Sequence, residues 1–86
     1  MIEDSCSEVA DRQLDDLEAR DPKLYEDLLK VCEFVFDHPS VARNASSAVR
    51  TADGVVYRLP VPGRRPYCVF WTADGPRVEA VFPYER

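Results

Sequence analysis

The spacing of apolar residues changes once along this chain, and that change constrains the fold more than any other feature. Up to Phe36 the apolar positions recur every three or four residues, the period of a helix buried along one side. From Val55 onward they fall into short runs separated by Asp-Gly turns, the pattern of strands joined by hairpins. Helices at one end of a chain and an antiparallel meander at the other define an α+β domain whose helices cover one sheet face. With 86 residues there is room for one core, so the reading is a single domain over 1–86.

Ser5 and Glu8 have the S-x-x-E spacing of a capping box, which predicts a first helix over about 5–20. Its Cys6, Ala10, Leu14 and Leu17 share a face, while Asp11, Arg12, Asp15, Asp16 and Glu18 lie away from it. Asp21 and Pro22 then restart a helix, predicted over about 22–37, because Asp accepts from first-turn amides and proline forfeits only a donor without a partner. Leu24, Leu28, Val31 and Val35, flanked by Tyr25, Leu29, Cys32 and Phe36, make a stripe wide enough for two layers. The short connection at Arg20 and Asp21 predicts an antiparallel helical hairpin, packed on a small antiparallel sheet. Glu26 and Lys30 have the spacing of a favourable pair on its outer face.

His38 and Pro39 end the second helix, and the small polar residues to Ser47 read as a loop over 38–47 with room for one helical turn. Strands are predicted over about 48–51, 55–59, 67–71 and 77–82. Pro60 and Pro62 cannot donate to a ladder, so the second strand should leave the sheet there. In the last run Val78, Ala80 and Phe82 alternate with Arg77 and Glu79, which predicts one wet sheet face. The preceding run is apolar on both faces, with Tyr67, Val69 and Trp71 on one and Cys68 and Phe70 on the other. It is therefore central, or one of its faces meets a partner.

Apolar residues make up 45% of the chain and charged ones 31%, a globular balance that excludes a disordered segment. Residues 1–38 carry twelve acids against four bases, a sum of −8, and residues 39–86 carry four acids against seven arginines, a sum of +3. The second half is thus suited to an anionic partner, although the net −5 opposes long-range steering to nucleic acid. The acidic start MIEDSC is unlike a basic signal peptide, and no run is long enough to span a membrane, so a cytoplasmic location is expected. Cys6, Cys32 and Cys68 are odd in number and lack a C-x-x-C pair, which predicts reduced thiols. A core of this size leaves a stability of only about 3–5 kcal/mol, which leaves room for a homodimer or an obligate protein partner.

The arginines are the strongest functional candidates, since guanidinium groups bind phosphate bidentately and stabilise charge on it. Arg50, Arg64 and Arg65 are the candidate RNA contacts, with Arg58, Arg77 and Arg86 beside them; the plain alternative is a solvated strand face. Tyr57, Tyr67, Trp71 and Tyr84 are candidate stacking surfaces, with core packing the simpler role for Tyr57 and Tyr67. His38 suits the negative end of a helix better than catalysis. Three glycines make no phosphate loop, and no Ser-His-Asp set or metal-ligand spacing is present, so no metal or cofactor is expected.

The runs QLDDLEARDPKLYEDLLKVCEFVFDHP, VVYRLPV, RPYCVFW and RVEAVF together resemble the RelE/ParE superfamily of type II toxin-antitoxin toxins. The resemblance implies an antitoxin partner and one of two targets. RelE-like members cut messenger RNA in the ribosomal A site without a metal, and ParE-like members act on DNA gyrase. Carried over, the catalytic candidates are Arg58, after the strand tyrosine, and Tyr84 with Arg86 near the C-terminus. The chain departs from the pattern at Pro60 and Cys68, where the family has basic residues, and no N-terminal strand is evident in MIEDSC. These departures leave open a catalytically inactive protein-interaction module with the same fold.

Overall fold

The computed structural model describes residues 6–84 as three helices followed by a four-stranded antiparallel sheet. Helix α1 spans Glu8–Arg20, α2 Pro22–Asp37 and α3 Pro39–Ala45. Strands β1 Ser47–Thr51, β2 Gly54–Pro60, β3 Tyr67–Thr72 and β4 Arg77–Pro83 lie side by side in chain order. The fold class is therefore α+β. No helix among the described residues is long and apolar enough to cross a membrane.

The first helix starts later than the capping-box spacing suggests. Ser5 lies outside the described residues; Cys6 forms a parallel bridge to Val78, and Ser7 is the N-cap. The extended backbone of Ser7 donates its N–H to the Val78 carbonyl at 2.8 Å, and its Oγ accepts from the Ala10 N–H at 3.0 Å. The hydroxyl also donates to the Glu79 carbonyl. One buried serine thus ends a strand contact and begins a helix. At the other end, Asp21 closes α1 through its N–H to the Leu17 carbonyl at 2.7 Å and opens α2 by accepting from the Leu24 N–H at 3.3 Å.

Ala10, Leu14 and Leu17 of α1 join Leu24, Leu28, Val31, Cys32 and Val35 of α2 in the core, against Leu59, Val61, Val69, Trp71, Val78 and Val81 of the sheet side. The segment read as a loop over 38–47 holds α3 instead. A single buried residue, Ala42, gives it no visible apolar period, yet Pro39 sits in its first turn and Ser46 closes it. Ser46 Oγ donates to the Ala42 carbonyl at 2.7 Å and accepts from Trp71 Nε1 at 3.1 Å. That bond satisfies the indole donor of a side chain with no exposed surface. Trp71 is accordingly a core residue tilted against Tyr57, and the face it occupies is covered by helices, not open to a partner.

The pairing of β3 with β4 breaks the alternation expected for the last strand. Phe70 stands opposite Ala80 and Trp71 opposite Val78, so Glu79 is an extra residue, a β-bulge. Val78 and Val81 are buried with the core, whereas Phe82 is exposed on the other face beside Phe70. A strict period of two puts Val78 and Phe82 together; the bulge separates them. The outer face is therefore not simply wet. Pro60 remains paired with Cys68, and its missing donor points to the side where β1 ends, because Ser47 reaches only as far as Arg58.

Candidate nucleic-acid interface

The sheet face turned away from the helices carries the densest group of candidate residues. Register sets it: Arg58 of β2 lies across from Phe70 of β3, which lies across from Ala80 of β4, and the Cys68–Phe82 pair adjoins them. Phe70 and Phe82 stack with ring centroids 4.6 Å apart and planes 14° from parallel. Beyond β4, Tyr84 is anchored by its N–H to the Pro66 carbonyl at 2.9 Å. That backbone bond brings its ring edge-on to Phe70 at 5.7 Å, with the Arg58 guanidinium 5.0 Å from the ring centroid. The last contact is within cation–π range.

Arg58, Arg65, Cys68 and Tyr84 line one open concavity of about 430 Å³, walled by Pro60 and Pro66. No carboxylate lines it among the described residues. Burial pushes the Cys68 thiol upward from its ordinary pKa, and the nearby Arg58 charge pulls it only part of the way back. The thiol stays protonated at neutral pH and adds no negative charge to the two arginines.

Two other candidates, Arg64 and Arg50, are not brought to this face. Arg64 donates from Nε to Asp27 Oδ2 on α2 at 2.7 Å, a hydrogen bond that raises its pKa further above the ordinary arginine value. Arg50 is exposed on β1 opposite Val55 and alternates onto the other face from Arg58. Arg86 lies outside the described residues. Comparisons with protein-family models, curated proteins and solved structures return no match.

Two guanidinium groups and an exposed phenol lie beside a stacked pair of phenylalanines, side-chain types that can pair with phosphate and stack on bases. Phe70 and Phe82 are not among the functional candidates drawn from sequence; the apolar character of both β3 faces is the signal that points to Phe70, whereas Phe82 reaches this face only through the β4 bulge. Among the described residues no three His, Cys, Asp or Glu side chains are grouped to hold a metal.

Proposed function

We propose that this chain is an RNA-binding protein of the toxin type that the RelE/ParE superfamily represents, with the outer sheet face as its RNA surface. The observation that carries the reading is the convergence of Arg58, Arg65 and Tyr84 on one concavity free of carboxylates among the described residues. A single strand suits it, since unstacked bases meet Phe82 and Tyr84 while the arginines take the phosphates. The family resemblance adds an antitoxin protein as partner and messenger RNA on the ribosome as target.

Cleavage on this face would be a transphosphorylation. The 2′-hydroxyl gives up its proton as its oxygen bonds to the adjacent phosphorus, the bond from phosphorus to the 5′-oxygen breaks to leave a 2′,3′-cyclic phosphate, and the departing 5′-oxygen takes up a proton. Arg58 and Arg65 are placed to stabilise the added phosphoryl charge, and Tyr84 to exchange a proton with the strand. Cys68 and Pro60 occupy this concavity where the family has further cations, so binding is supported by more residues than catalysis.

The test is to express the chain alone in a bacterial host and follow growth and message integrity. Arrest with cleaved messages, abolished by the Arg58→Ala/Arg65→Ala double variant, is the expected result. Arrest with intact messages favours a gyrase-directed toxin. Normal growth with soluble protein favours the inactive interaction module, a reading that the exposed Phe82 and Tyr84 also support.

A further inference from the structure

A second cleft lies on the helix side of the molecule, between α2, the end of α3 and the segment that follows β2. Its volume is about 460 Å³, within the range of roughly 300–1,000 Å³ typical of small-molecule sites. Val31, Leu59 and Val61 line it as buried residues, Phe34 is half-buried at its wall, and Ala45 is exposed at its mouth. An apolar body placed there is removed from water on several sides.

Among the described residues only two charged side chains line this cleft, Asp27 and Lys30. The Asp27 carboxylate is held by Arg64 at 2.7 Å, so its charge is compensated locally. Lys30 is different. The Glu26–Lys30 pair expected from spacing is not formed, and among the described residues no carboxylate lies within 4.0 Å of the Lys30 ammonium. The cleft therefore combines an apolar floor with one uncompensated cation at its rim.

We propose that this cleft binds a small amphiphilic monoanion, an aryl or alkyl carboxylate. Its apolar body packs on Phe34 and Val61, and its carboxylate pairs with Lys30. Apolar contact supplies most of the affinity, because an exposed ion pair contributes little on its own. The charge sets the selection: a neutral analogue gains nothing at Lys30, and a cation meets repulsion there. The site is separate from the proposed RNA surface, with Pro60 as the one residue among those described that borders both.

The experiment is a titration of the isotope-labelled full chain with 4-phenylbutyrate and with its neutral counterpart 4-phenylbutan-1-ol, followed by amide chemical shifts. Saturable shifts at Val31, Phe34, Ala45, Leu59 and Val61 are expected, with the carboxylate bound several-fold more tightly than the alcohol. Lys30→Gln should erase that preference while leaving alcohol binding unchanged, and Ala45→Phe, at an exposed helix end, should block both ligands. Absence of saturable shifts, or equal affinity for the two compounds, overturns the proposal. So does a concentration-dependent shift of the same amides without ligand, which would mean that a second copy of the chain fills the cleft.

Discussion

Arg64 and Arg65 are neighbours in the chain, yet Arg64 turns to Asp27 on α2 while Arg65 lines the outer concavity. Composition cannot separate two adjacent guanidiniums; only the path of the loop between β2 and β3 does. Residue chemistry is more readable for the thiols. Cys32 falls on an apolar stripe, and in the fold burial pushes its pKa from 9.0 up to about 12. Because the folded-state value is raised, the stability it contributes is fully present below pH 9.0 and is lost as pH rises toward about 12. Denaturation midpoints followed from pH 8 to pH 11 should fall over this window, and Cys32→Ala should flatten part of that fall. The same burial makes Cys32 react with a thiol reagent at pH 8 far more slowly in the native state than in denaturant, as mass spectrometry of the labelled chain would show.

At the scale of elements, most of the secondary structure follows from punctuation. Asp21-Pro22 starts α2, and Gly54 and Gly75 take the positive φ values, 131° and 134°, that the hairpin turns require. What punctuation does not reveal is the β4 bulge, because it depends on contacts made from the far end of the chain. Ser7 binds the carbonyls of Val78 and Glu79, and Gln13 Oε1 accepts from the Val81 N–H at 2.7 Å. These bonds satisfy the outer edge of β4 and hold α1 against it, which also limits edge pairing with other chains. Ser7→Ala removes the helix cap and the donor to Glu79 together. Its expected cost is about 1–2 kcal/mol, measured by urea denaturation. A destabilisation below a few tenths of a kcal/mol would show that neither hydrogen bond matters to stability.

For the whole molecule, the uneven charge of the chain becomes spatial. Exposed acids such as Asp15, Asp16, Glu18, Glu26 and Glu33 lie on the helices, while Arg58 and Arg65 border the concavity on the opposite sheet face. On the proposed function, binding of a short single-stranded RNA should therefore weaken as salt rises. Removing both arginines should reduce the slope of log affinity against log salt by roughly 1.4, because each phosphate neutralised on a single strand accounts for about 0.7. An unchanged slope in fluorescence anisotropy would place the RNA elsewhere. The sequence by itself determined the α+β class, the position of the two long helices and the four strand segments, because periodicity, caps and turns are local physical preferences. Tertiary structure alone decided α3, the bulge that moves Phe82 to the outer face, the burial of Trp71, and which arginines meet. Each of these depends on register and packing between residues far apart in the chain, where a shift of one position exchanges core for surface.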